Sequence, residues 1–319
     1  MKDRILVTGA NGQLGTVLVE ALIQKYGWEN VFATDIKIPE LNHHGISSLD
    51  VLDNLKLERF VFDKQITIIY HLAAILSARG EAEPLKTWDI NMKAWLNVLE
   101  AARKLKVKKV FYPSSIAVFG DSAPKNPCKQ NAVTEPTTVY GISKVAGENW
   151  AQYYHKRYGL DVRSLRYPGV ISYQSMPGGG TTDYAVEIFH AAIKKEKYNC
   201  FLKANATLPM IYTDDAIRAT LELMDAPKDN IKIRTSYNLA GVSFSPEEIF
   251  ENIKKSIPDF EIEYQPDFRQ QIAESWPQVM DDSNATNDWN WRPDYDLNKM
   301  TGVMIENLKV LLGKEKSVI

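Results

Sequence analysis

Ile5-Leu6-Val7-Thr8-Gly9-Ala10-Asn11-Gly12-Gln13-Leu14-Gly15 is the stretch that decides the fold. Its first four residues are apolar or β-branched and read as a buried strand. A glycine-rich turn follows, and then a helical pattern running to Tyr26. Glycines at such a junction have physical work to do. Gly9 permits the tight turn, Gly12 lets backbone approach a pyrophosphate, and Gly15 lets helix and strand pack closely. The helix start offers free N–H groups and a positive dipole end, so Asn11, Gly12, Gln13 and Leu14 are placed to cradle phosphates. The spacing here is G-x-x-G-x-x-G.

Outward from that turn, short β-rich runs alternate with helical patterns. Strands are predicted at Arg4–Thr8, Asn30–Asp35, Thr67–Leu72, Lys108–Ser115 and Asp161–Tyr167, and helices at Gly12–Tyr26, Pro84–Leu105 and Tyr140–Tyr158. Strand-then-helix repetition predicts an α/β fold, a Rossmann-type doubly wound parallel sheet with helices on both faces. From Pro177 the pattern loosens at Pro177-Gly178-Gly179-Gly180, and shorter elements punctuated by prolines follow. The expected organisation is a nucleotide-binding domain over 1–176, to which some later segments return, and a smaller interleaved α/β substrate lobe over 177–319. A last helix is expected at about Leu297–Leu312, followed by a polar tail.

Composition narrows the class. Of 319 residues, 45% are hydrophobic and 24% charged, enough apolar material for a sizeable core. Net charge is −2, so no basic field points to nucleic acid or an anionic membrane. No apolar run reaches the ~20 residues of a membrane span. Met1-Lys2-Asp3-Arg4 leads directly into the first strand, so no leader is expected. Cys128 and Cys200 are far apart and lack metal-type spacing, which suits a reducing cytoplasm. Neither H-E-x-x-H nor C-x-x-C occurs, so no metal is expected.

Asp35 ends the second strand, twenty residues past Gly15. A carboxylate there accepts hydrogen bonds from the adenosine ribose hydroxyls and repels an extra phosphate, which favours NAD over NADP. Ile36 follows, and Lys37 next to it weakens that preference. Asp50, before Val51, has two readings: a partner for the adenine amino group, or a helix cap. Leu72-Ala73-Ala74 ends the next strand with small residues that leave room for pyrophosphate and ribose. Asn91 lies mid-helix, where asparagine is a poor helix former, so either a buried polar task or a solvated position explains it.

The other end of the domain carries the chemistry. Lys108-Lys-Val-Phe-Tyr-Pro-Ser114-Ser115 is a strand ending in two hydroxyls, and ligands lie at strand carboxyl ends in open α/β sheets. Ser115 is positioned to donate to a developing alkoxide or to hold a reacting hydroxyl. Tyr140-Gly-Ile-Ser-Lys144 places a phenol and an ammonium one helical turn apart on one face. The ammonium is expected to pull the phenol below its usual value near ~10, toward a group that exchanges protons at neutral pH.

Together, Gly9-x-x-Gly12-x-x-Gly15, Ser115 and Tyr140-x-x-x-Lys144 resemble the extended short-chain dehydrogenase/reductases over essentially the whole chain. The resemblance implies a Ser–Tyr–Lys set acting with NAD(P). Tyr140 would be the general acid/base, Lys144 would bind the nicotinamide ribose, and Ser115 would orient substrate. Arg166-Tyr167-Pro168-Gly169 resembles the segment that backs the nicotinamide. Within that family, several stretches are similar to the short-chain type of L-threonine 3-dehydrogenases. They are Leu76-Ser77-Ala78-Arg79-Gly80-Glu81, Pro177 to Ala185, Leu208 to Asp215, Glu274-Ser-Trp-Pro277 and Asp288-Trp-Asn-Trp291. Members often carry Thr in place of Ser115, and Gly in place of Asn290.

An amino-acid substrate suits the residues. Gly178, Gly179 and Gly180 can form an anion nest for a threonine carboxylate, with Thr181 and Thr182 at the start of the next helix. A flexible loop plus a helix cap is the plainer account of 178–182. Ser77 and Ser114 are further candidates to hold substrate. The nearest rival is a nucleotide-sugar epimerase or dehydratase. Gly169 stands where that group has Asn, and Leu208-Pro209-Met210-Ile211-Tyr212 lacks its diphosphate-binding arginine. A rival of another class is a non-catalytic NAD(H)-sensing module, which tends to lack the Tyr or Lys present here. The helices bearing Trp88, Met92, Trp95 and Leu99 and following Tyr140 are expected to build a homodimer by family analogy, although packing against the sheet explains many of the same residues.

Overall fold

A computed structural model of the chain describes residues 2–174 and 180–315. Pro177, Gly178, Gly179 and the tail after 315 lie outside the described residues. Seven strands form one sheet: β1 (Ile5–Thr8), β2 (Val31–Asp35), β3 (Ser47–Ser48), β4 (Ile68–His71), β5 (Lys109–Ser115), β6 (Asp161–Tyr167) and, from much later in the chain, β10 (Tyr237–Asn238). Their order is β10-β6-β5-β4-β1-β2-β3, and every neighbouring pair is parallel. The five predicted strands fall within one residue of their expected bounds.

Period-two alternation explains why this sheet is covered on both faces. Ile5, Val7, Ile68, Tyr70 and Phe111 point into one core with Leu18, Val19 and Leu22 of α1 (Gln13–Tyr26). The residues between them, Leu6, Ile69, Val110 and Tyr112, point into the other. There they meet α2 (Asn54–Asp63) and α4 (Pro84–Lys104), which follows the short α3 (Ser77–Gly80), and α5 (Val139–Tyr158). Strands with apolar residues on both sides must be buried on both, and the doubly wound arrangement is the result.

α5 begins one residue before Tyr140 because Thr138 is its cap, its hydroxyl accepting from the Gly141 N–H at 3.1 Å. It ends at Gly159, in the left-handed conformation at φ 71°.

The later chain forms β7 (Gly169–Ile171), α6 (Tyr184–Lys194), β8 (Tyr198–Cys200), β9 (Leu208–Tyr212) and α7 (Thr213–Asp225). After β10 come β11 (Val242–Phe244), α8 (Pro246–Lys254), β12 (Ile262–Tyr264), α9 (Arg269–Ser275), α10 (Ser283–Trp289) and α11 (Leu297–Glu315). The last helix runs three residues beyond its expected end. Two small sheets, β11-β9-β7 and β12-β8, share a third core with α6, α8 and α11. Two later segments return to the large sheet: β10 extends its edge, and Ala216, Ala219 and Leu223 of α7 enter the core that holds α1. Among the described residues, no helix is long and apolar enough to cross a membrane.

Candidate active site

The carboxyl ends of β1, β4, β5 and β6 open onto one cavity of about 240 Å³. Gly9, Gly12, Gln13, Leu14 and Gly15 form one side of it, and Ser115, Tyr140 and Lys144 another. Leu72, Ala74, Ser77, Tyr167, Pro168, Thr181 and Thr182 complete much of the wall. Residues placed far apart by the sequence thus meet where an open parallel sheet receives its ligands.

The turn after β1 has the shape a dinucleotide needs. Gly9 is at φ +72°, and a Cβ there would lie 2.6 Å from the Ala73 backbone nitrogen. A Cβ on Gly15 would lie 2.4 Å from the Gly9 carbonyl oxygen. Neither position admits a side chain, so Ala73 acts by close backbone approach rather than by lining the cavity. Gly12 caps α1 without a side-chain bond, which leaves the first N–H groups of the helix aimed outward. Asp35 stands beside this turn, one oxygen accepting from the Asn11 N–H at 3.1 Å and the other from the Lys37 N–H at 3.3 Å. Those bonds fix the carboxylate and leave further lone pairs for ribose hydroxyls. The residues present therefore fit a dinucleotide. Ile36 is 65% exposed beside Asp35, an open apolar surface.

Several of the expected contact residues also make hydrogen bonds within the protein. Asp50 Oδ1 accepts from the Leu52 N–H at 2.9 Å, closing a turn, and the cap of α2 is Asp53. Neither Asp50 nor buried Val51 lines the cavity. Asn91 is buried and has the polar task its position suggested. Its Oδ1 accepts from the Ile75 N–H at 2.8 Å and its Nδ2 donates to the Ile75 carbonyl at 3.1 Å. It holds the loop after β4 and does not itself line the cavity. Ser114 lines the cavity, and its hydroxyl donates to Glu148 Oε1 at 2.6 Å, which ties the end of β5 to α5. At the expected nest, the Gly180 N–H donates to Asp183 Oδ2 at 2.7 Å. Gly178 and Gly179 lie outside the described residues. Thr181 and Thr182 sit in the turn before α6, which begins at Tyr184.

Ser115, Tyr140 and Lys144 are tightly packed. Ser115 Oγ accepts from the Ala117 N–H at 3.1 Å, which fixes it, and its hydroxyl favours the ionised form of the Tyr140 phenol. Lys144 is buried and donates from Nζ to the Pro113 carbonyl at 2.6 Å. Its nitrogen lies 5.3 Å from the Tyr140 ring centroid. The expected lowering of the Tyr140 phenol is not what the packing produces. Burial pushes it up to about 12, with the Ser115 bond opposing. Burial pushes the Lys144 ammonium down to about 7, with Glu148 opposing. Desolvation, absent from any argument based on spacing, outweighs the neighbouring charge.

Behind the strand, Glu148 and Arg166 form a buried bidentate ion pair at 2.9 and 2.7 Å. Arg166 also donates to the Gln130 carbonyl at 3.0 Å and to Asn238 Oδ1 at 3.1 Å, joining β6 to β10. Sequence reasoning assigned this network no role.

It also missed Trp276, at the end of α9. This residue is 4% exposed, lines the cavity, and has an indole N–H with no partner. The Thr181 hydroxyl is buried, unpartnered and part of the same wall. Two orphaned polar groups in one wall are positions a bound ligand can satisfy. The only sequence signal for Trp276 was its place in Glu274-Ser-Trp-Pro277. Among the described residues, no group of three or more His, Cys, Asp or Glu could hold a metal ion.

The profile of the NAD dependent epimerase/dehydratase family matches residues 5–240. The chain belongs to that family, and the expected extended short-chain dehydrogenase/reductase fold holds. Mitochondrial L-threonine 3-dehydrogenase of Bos taurus is 44% identical over 309 residues, 95% of this chain and 82% of that protein. The GalE-like L-threonine dehydrogenase of Cupriavidus necator, in its holo form, is 51% identical with a TM-score of 0.94, covering 96% of this chain and 100% of that one. A monomeric L-threonine 3-dehydrogenase from a metagenome, in apo form, is 50% identical with a TM-score of 0.94, covering 96% and 99%.

Proposed function

We propose that the protein oxidises L-threonine at its 3-hydroxyl to 2-amino-3-oxobutyrate, with NAD as acceptor. The observation that carries this reading is the meeting of Ser115, Tyr140 and Lys144 with the unpartnered Thr181 hydroxyl and Trp276 N–H on one cavity. Bound NAD supplies the hydride acceptor. Tyr140 takes the hydroxyl proton, Lys144 stabilises the phenolate, and Ser115 holds the reacting oxygen. Thr181 and Trp276 donate to the substrate carboxylate, with Ser77 nearby. Threonine dehydrogenases among the relatives support the same assignment.

Deuterium placed at C3 of L-threonine tests it. The label is expected in the reduced coenzyme, and label left in the amino-acid product would contradict it.

A nucleotide sugar fits less well, because the described residues lining the cavity include no arginine to clamp a diphosphate. Asp35→Ala is expected to raise the Michaelis constant for NAD by about tenfold or more, the worth of a charge-assisted hydrogen bond, and to raise relative use of NADP. Steady-state kinetics with both coenzymes checks this. An unchanged ratio would remove Asp35 from coenzyme choice.

We also propose a homodimer through α4 and α5. Ile142, Trp150 and Tyr153 share one face of α5 and are 47%, 38% and 47% exposed. Sedimentation should give twice the chain mass, reduced to one chain by Tyr153→Glu. The monomeric relative shows that the fold itself does not require pairing.

A further inference from the structure

Lys144 is buried, and among the described residues the oxygen that accepts from its ammonium is the Pro113 carbonyl. A buried cation needs compensation from its surroundings, and besides the nicotinamide ribose expected to meet it, the protein must supply its share. Two rings flank the ammonium, and the Tyr112 ring, with its centroid 4.6 Å from Nζ, is closer than the Tyr140 ring at 5.3 Å. That ring cannot move aside. It stacks on Trp95 at 4.3 Å, and Trp95 stacks on His71 at 5.7 Å. The Trp95 Nε1–H donates to the Gly147 carbonyl at 3.1 Å, tying this column to α5. A Cβ on Gly147 would lie 2.1 Å from the Tyr112 hydroxyl, so α5 presses directly on the ring.

We propose that Tyr112 is a positioning residue: its ring face, backed by Trp95, holds the Lys144 ammonium in place and charged beside Tyr140. This rests on the reading of Tyr140 and Lys144 as the proton-handling pair. Other groups around Lys144 do not take over the role. On its own helix, Glu148 favours the charge but is shared with Arg166 of β6 and Ser114 of β5. From β4, His71 stays neutral, pushed down to about 3 by burial and by the Lys144 charge itself. From α4 come Trp95 and Asn91, neither of them charged. A ring face over a desolvated cation is worth enough to matter.

The consequence for rate has a distinctive form. Lys144 ammonium with phenolate, and neutral amine with phenol, hold the same number of protons, so their ratio does not change with pH. Losing the ring face shifts that ratio toward the unproductive neutral pair. Tyr112→Leu should therefore lower the turnover plateau above neutral pH about three- to tenfold and move the acid limb about half a unit to one unit lower. Well below that limb Lys144 is charged in either protein, and the rates should converge. Tyr112→Phe keeps the ring and should keep the limb where it is.

Titration of the Lys144 side chain by NMR, with isotope-labelled lysine and Lys144→Met for assignment, reads the same shift without any substrate. A lower Lys144 titration in Tyr112→Leu, with Tyr112→Phe close to wild type, is the expected result. An unshifted titration, or a rate loss equal at every pH, would overturn the proposal. If the leucine variant does not fold, a ring-fluorinated phenylalanine at 112 keeps the volume, weakens the ring face and should give the same shift. A silent Tyr140→Phe would instead sink the underlying reading, while leaving the titration result standing on its own.

Discussion

Tyr140→Phe is expected to lower turnover with L-threonine about a hundred- to ten-thousandfold, the usual worth of a positioned general acid/base. Removing the hydroxyl oxygen leaves the ring, the cavity shape and the Pro113–Lys144 bond in place. Coenzyme affinity should therefore stay close to wild type, and the loss should fall on kcat. On the proposed mechanism oxidation needs the phenolate, and the pair loses its first proton more easily from Lys144 than from Tyr140. The sign follows: turnover climbs as pH rises toward about 7 and levels off above it. Stopped-flow and steady-state rates across pH check both points. Near-full turnover in Tyr140→Phe, or a rate maximum in acid, would remove Tyr140 from the chemistry.

Glu148→Ala should be the most damaging substitution outside the cavity. It leaves the Arg166 guanidinium buried, only 5% exposed, without its carboxylate. Stranding one partner of a buried pair costs about 3–5 kcal/mol of folding stability. Arg166 keeps bonds to Gln130 and Asn238, but both partners are neutral and cannot balance its charge. Ser114 loses its acceptor at the same time, immediately before Ser115. Glu148→Gln preserves the shape and one acceptor and should cost less. Urea unfolding measures the difference, and a loss below about 1 kcal/mol for the alanine variant would show that the pair contributes little.

The sheet was legible because its signals are local. Ile5-Leu6-Val7 and Ile68-Ile69-Tyr70 are apolar throughout, as strands between two helical layers must be. Gly9 and Gly15 were legible because only glycine meets the backbone geometry there. Less visible was anything that depends on packing across the chain. Nothing in the spacing of Ser114 and Glu148, or of Arg166 and Asn238, says that they share one buried network. Little in the sequence marked Trp276 apart from its neighbours, and only the fold brings it to the same cavity as Thr181. Proximity of Lys144 to Tyr140 was correctly read from a four-residue spacing. The direction of the resulting shift was not, because burial acts through the whole surrounding shell.

The central claim is tested most directly by reduced-coenzyme absorbance with purified protein, NAD and L-threonine, chelator present, and D-threonine and L-allo-threonine as controls. The account predicts rapid NADH formation with L-threonine and little with either control. No NADH with L-threonine while NAD still binds would contradict it, and would turn the search toward other alcohols that fit the same cavity.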